Sequence, residues 1–130
     1  MLAVGQRIDA TRVFSQEDFD RFARLSGDDN PIHVDPVFAA ATRFGRTLCH
    51  GMLLMSTLSG VIRRALAALD LVIEDIELTF PGPTYVDDKM QIAVEVESVD
   101  GDRAKLAVVI TAPDGVAACL SKVGVRARRA

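Results

Sequence analysis

The sequence predicts an α+β fold, and three observations carry that expectation. A long helix, from about Gly51 to Leu69, opens with apolar or small residues on every face. Later runs alternate apolar and polar residues in the period-two manner of half-buried antiparallel strands. Asp100-Gly101 and Asp114-Gly115 stand between those runs as tight-turn signals. At 130 residues the chain fits one domain, spanning residues 1–130. A domain of that size buries roughly two-thirds of its unfolded surface and needs neither disulfides nor metal to fold.

Residues Val4 to Val13 offer one short leading strand, with weak periodicity. A helix starts at Ser15, whose side chain caps backbone N–H groups while Asp18 returns the bond in a capping box. Phe14 and Phe19 occupy the staple positions, Phe19, Phe22 and Ala23 share a face, and Gly27 stops the helix. Asp35-Pro36 reads as an N-cap with proline at the first helical position, opening a second short helix to about Arg43. The long helix follows. Its residues Met52 to Ile62 present no polar face, which predicts burial on all sides and something wrapped around it. The wrapping is supplied by Ile76-Leu78-Phe80, by Met90-Ile92-Val94-Val96, by Leu106-Val108-Ile110 and by Val116 to Ala127. A single curled antiparallel sheet leaves its edges unpaired, so a dimer that joins two sheets is expected.

Composition narrows the function. Charged residues make up 25% and the formal net charge is -3, which argues against a nucleic-acid binder. Aromatic residues are 5% with no Trp, so a base- or sugar-stacking surface is not expected. Arg126, Arg128 and Arg129 form a local basic cluster, either a solvated tail or an attractor for a phosphate-bearing substrate such as coenzyme A. Cys49 and Cys119 have no metal or disulfide spacing, so no metal or other cofactor is expected. Cys49 adjoins His50, but neighbouring side chains point apart, which disfavours a nucleophilic pair. No basic-then-apolar leader opens the chain, which predicts a cytoplasmic protein. The uncharged run Gly51 to Ile62 is too short to span a bilayer, so no membrane partner is expected.

The chemistry concentrates in Ser26-Gly27-Asp28-Asp29-Asn30-Pro31-Ile32-His33, a polar segment held between two capped helices. A histidine of ordinary pKa, about 6.5, gives or takes protons near neutral pH, and a carboxylate orients water beside it. Spacing alone leaves the plainer alternative open: Asp and Asn before a helix serve as caps and turn formers.

This segment, with Phe22-Ala23-Arg24-Leu25 before it and Asp35-Pro36 and Phe38-Ala39 after it, resembles the motif of the MaoC-like, (R)-specific enoyl-CoA hydratases. The likeness continues through His50-Gly51-Met52 and reaches Phe80, Pro83, Val86 and Asp88, so it covers nearly the whole chain. It implies a hot-dog fold, in which an antiparallel sheet wraps a long helix, and an acyl-CoA substrate. It further implies that Asp28 and His33 hold a water and exchange protons with it, across the double bond of a trans-2-enoyl thioester. The backbone N–H of Gly51, at the positive end of the long helix, then suits the thioester oxygen, and a missing Cβ permits close approach. A plain turn glycine is the alternative.

Asn30 shapes the loop or touches substrate. Ser59 matches a serine that relatives carry near the aspartate, or is a small packing residue. Asp29 occupies a variable position, and His50 fixes the helix entry or joins the chemistry. A dehydratase acting on carrier-protein thioesters uses the same machinery. A thioesterase of this fold would place a carboxylate on the central helix, and Met52 to Ile62 offers none. A non-catalytic acyl-binding subunit is a further alternative, with little use for Asp28 and His33.

Overall fold

Ser15 begins the first helix in the way its capping box predicts. Its Oγ accepts from the Asp18 N–H at 3.2 Å and its own N–H donates to the Asp18 carboxylate at 2.9 Å. The Phe14 and Phe19 rings stack at 6.3 Å across the cap, both fully buried. The computed structural model describes residues 2–128; Arg129 of the basic cluster lies outside the described residues.

In chain order the elements are β1 (Arg7–Val13), α1 (Gln16–Ser26), α2 (Pro31–Val34), α3 (Pro36–Ala40), α4 (Gly51–Ala65), a 3-10 turn (Ala67–Leu69), β2 (Leu71–Thr79), β3 (Lys89–Asp100), β4 (Arg103–Thr111) and β5 (Ala117–Ala127). The strands form one antiparallel sheet in the order β1-β3-β4-β5-β2, so β1 and β2 are its edges. Gly101 and Gly115 take positive φ, 61° and 86°, in the tight connections between β3, β4 and β5.

Period two sets the face of each strand. Ile92 pairs with Ile110, Val94 with Val108 and Val96 with Leu106, and all six side chains are buried. Against that face lies α4, which buries Leu54, Leu58 and Ile62 at successive turns. Each such side chain contributes about 1.5–3 kcal/mol on leaving water, which docks the helix firmly.

Three expectations need correction. The long helix ends at Ala65 and tightens into a 3-10 turn, a common helix terminus. The helix after Pro36 stops at Ala40 rather than near Arg43, because the Thr42 hydroxyl bonds back to the Ala39 carbonyl at 2.7 Å and competes with helical bonding. The sheet covers only one side of α4: Met52 remains 48% exposed and Ser56 is exposed. Five strands with two open edges do not close around a helix within one chain. Among the described residues no helix is long and apolar enough to cross a membrane.

Candidate active site

The predicted site segment is more structured than a loop. Gly27 ends α1 in the left-handed conformation, φ 82°, and releases the chain into Asp28 and Asp29. Asn30 then caps the single turn α2, its side-chain oxygen accepting from the Ile32 N–H at 3.2 Å, with Pro31 at the first helical position. That cap places His33 on the last turn of α2. Asp35 caps α3 directly afterwards, through Val37 and Phe38.

His33 is held at three points. Its Nδ1–H donates to the Leu48 carbonyl at 2.8 Å, and the adjacent Ile32 carbonyl accepts from the Leu48 N–H. A carbonyl can only accept, so Nδ1 carries the proton in the neutral ring and Nε2 keeps a free lone pair. The His33 carbonyl accepts from the Gln16 side chain at 2.9 Å, and Gln16 in turn accepts from the buried Thr47 hydroxyl at 2.6 Å. Nothing in the sequence marks Gln16 or Leu48, because both act across long separations and Leu48 acts through its backbone.

His50 packs directly against His33 and the Asp28 backbone. It is 1% exposed and stacks on His33, with ring centroids 4.0 Å apart and planes 25° apart. Its Nε2–H donates to the Asp28 carbonyl at 2.9 Å. Phe22 and Phe19 meet its edge at 4.8 and 6.4 Å. Burial holds its pKa below the ordinary histidine value, against the opposing Asp28 hydrogen bond. His50 stands at the N-cap position of α4, yet its side chain makes no cap bond.

Asp28, His33 and His50 each bring a ligand-type atom within 4.8 Å of the others. The two rings stack rather than converge on a point, and each commits one nitrogen to a backbone carbonyl. A water bonded at about 2.8 Å to both a carboxylate oxygen and an imidazole nitrogen bridges a gap of that size.

Gly51 opens α4 beside this cluster. With no side-chain cap, the first N–H groups of α4 lack an intrahelical acceptor and lie at the positive end of its dipole. A Cβ at Gly51 would stand 2.9 Å from the end of the Phe80 ring, so an added side chain would force that partly exposed ring to shift. Gly51, Leu54, Phe80, Arg43, Cys49 and Thr84 border a cavity of about 370 Å³. The Thr84 hydroxyl on its wall is buried without a partner. A larger groove, about 570 Å³, runs between β1 and the later turns of α4 and borders neither Asp28 nor His33.

The remaining candidates are not drawn to this cluster. Ser59 lies two turns along α4, roughly 12 Å from Gly51 along the axis, half-buried and without a hydrogen bond to Asp28 or His33. Cys49 donates from Sγ to the His50 carbonyl, and burial, then Asp18, pushes its thiol up, away from nucleophile chemistry. Arg126 and Arg128 pair with Glu74 and Asp70 beside the start of β2. They sit at the opposite end of α4, where Arg63 meets the Leu71 carbonyl, so they behave as a solvated basic edge.

Comparison with known proteins decides the family. The MaoC-like domain profile matches residues 2–117. The chain belongs to the MaoC-like domain family. Among curated members, this MaoC-like chain is 38% identical over 102 residues to an (R)-specific enoyl-CoA hydratase of Aeromonas caviae, covering 78% of this chain and 76% of that one. It is 32% identical over 117 residues to a 3-hydroxybutyryl-CoA dehydratase of Methylorubrum extorquens, 88% and 74% covered. The solved (R)-hydratase of A. caviae superposes with a TM-score of 0.92 at 34% identity, over 98% of each chain. The R-hydratase PhaJ1 of Pseudomonas aeruginosa gives 0.91 at 28%, over 99% of this chain and 84% of that one. The helix-on-sheet layout is therefore the hot-dog fold of the (R)-hydratases.

Proposed function

We propose that this MaoC-like chain is an (R)-specific enoyl-CoA hydratase. It adds water reversibly, on one face, to a trans-2-enoyl-CoA and gives the (R)-3-hydroxyacyl-CoA. The observation that carries this reading is the Asp28–His33 pair, whose ligand-type atoms lie within 4.8 Å of each other, with the tautomer of His33 set by Leu48.

In the forward direction the water donates one hydrogen bond to the Asp28 carboxylate and one to His33 Nε2. Nε2 takes the second proton as the water oxygen bonds to Cβ. The double-bond electrons move toward Cα and the thioester carbonyl, whose oxygen receives the Gly51 N–H. The imidazolium then returns its proton to Cα on the same face, so H and OH add together and no cofactor enters. Asp28 stabilises the transient imidazolium. Asn30 supports the pair by capping α2. The cavity bordered by Gly51 and Phe80 is where the thioester approaches. The working unit is a homodimer; the uncovered face of α4 and the two sheet edges support that assignment.

The test follows the conjugated enoyl thioester of crotonyl-CoA by its ultraviolet absorbance. The expected result is loss of that absorbance, formation of the (R)-alcohol and no free thiol. Release of free coenzyme A without hydration would overturn the reading in favour of a thioesterase.

A further inference from the structure

We infer that His50 is a positioning residue for the reaction: its Nε2–H fixes the Asp28 backbone and its ring face fixes His33, so that one buried side chain sets the geometry of both. The inference rests on Asp28 and His33 being the acid–base pair proposed above, and goes beyond it by naming what holds that pair together.

Packing alone does not call for a histidine at this place. The pocket is walled by Phe19, Phe22 and the His33 ring, so an apolar aromatic ring would fill it. Histidine is the costlier choice, because its Nδ1 is buried with no hydrogen-bond partner. An unpaired buried polar atom costs stability where an apolar one would cost nothing. What imidazole adds over phenylalanine is one donor, and that donor is spent on Asp28.

The bond matters because Asp28 has few other restraints. Its side chain is exposed, its N–H reaches only the Ser26 hydroxyl at 3.1 Å, and its carboxylate accepts from the Asn30 N–H at a long 3.5 Å. The residue follows a left-handed glycine, at which the chain has just left α1. The Asp28 carbonyl bond to His50 is thus the short link that ties this stretch to the N-terminus of α4. The same ring lies flat against His33 at 4.0 Å. Both members of the pair, and the Gly51 N–H one residue on, are indexed to one anchor.

Two substitutions separate positioning from packing. His50→Phe keeps the ring and removes the donor; His50→Gln keeps a donor and removes the ring. With crotonyl-CoA, we expect kcat to fall at least about tenfold in His50→Phe with KM within about threefold, the pattern of lost alignment rather than lost binding. His50→Gln should recover part of that loss although its melting temperature is the lower of the two. Rates that followed the melting temperatures instead would overturn the inference, as would a His50→Phe enzyme of unchanged kcat. Both limbs of the kcat–pH profile should survive in His50→Phe; loss of one limb would make His50 a proton carrier and overturn it too. One measurement is independent of turnover. A ring N–H resonance protected from solvent exchange should be present in the wild-type protein and absent from His50→Phe. If crotonyl-CoA is not hydrated at all, the functional reading fails while this resonance still tests the bond; its absence from the wild type would overturn the inference alone.

Discussion

At the Ala65 end of α4 several charged groups find partners nearby, whereas at the Gly51 end several polar groups are left open. The far end closes on itself. Arg63 donates to the Leu71 carbonyl at 2.8 Å, Arg128 N–H bonds the Asp70 carbonyl at 3.0 Å, and Glu74 sits between Arg103 and Arg126 at 2.9 and 3.4 Å. The near end has an uncapped helix N-terminus, a free His33 Nε2, and buried His50 Nδ1 and Thr84 Oγ1 atoms without partners. Unanswered groups cost stability, so their concentration at one end marks where the molecule is built to meet something other than itself.

The largest effect should come from breaking the open end. Asp28→Asn and His33→Ala should each lower kcat for crotonyl-CoA by about 10² to 10⁴, the scale of a lost acid–base group. Near-normal rates in both would remove the basis for contrasting the two ends. A smaller effect is expected from Gly51→Ala, because the new Cβ meets the Phe80 ring. That partly exposed ring must shift, which is read as a lowered melting temperature, and a displaced N–H donor should lower kcat as well. In Gly51→Ala with Phe80→Leu the melting temperature should recover while the rate does not. Full recovery of both would make Gly51 a packing residue only. The smallest effect belongs to the closed end. Arg126→Gln should leave kcat within about twofold and the melting temperature within about 2 °C, since solvent-exposed ion pairs contribute little. A large rate loss there would show that the basic edge reaches the substrate.

Much of this contrast could be read in the sequence, but unevenly. Ser15 with Asp18, Gly27, and Asp35-Pro36 are local signals, and each does locally what its chemistry predicts. Period two in β3 and β4 reports burial faithfully because alternate side chains face one core. The apolar composition of α4 overstated its burial, since a hydropathy pattern cannot say whether the cover belongs to the same chain. Asp28 and His33 stand out in the sequence through their motif. Their supports do not: the Leu48 carbonyl is 15 residues from His33 and the Asp28 carbonyl 22 residues from His50. Backbone acceptors carry no residue-type signature, so no pattern of side chains could reveal them. The Phe80 ring over Gly51 is hidden for a different reason: it is a side-chain contact between the residue after an edge strand and a distant helix start, which no local pattern reports.

The short pairing of residues 47–49 with 84–86 has a consequence for the order of assembly. Val86 N–H bonds the Thr47 carbonyl, Leu48 bridges Tyr85, and Cys49 N–H bonds the Thr84 carbonyl at 2.8 Å. This miniature ladder braces the stretch whose Leu48 carbonyl aims His33 and whose next residue, His50, grips Asp28. The site's own residues all leave the ribosome before position 52, yet the brace comes more than thirty residues later. A nascent chain therefore carries Asp28, His33 and His50 for some time without the contacts that hold them together. Local helices form early and long-range pairings late, so the site takes shape only as the sheet closes beneath it.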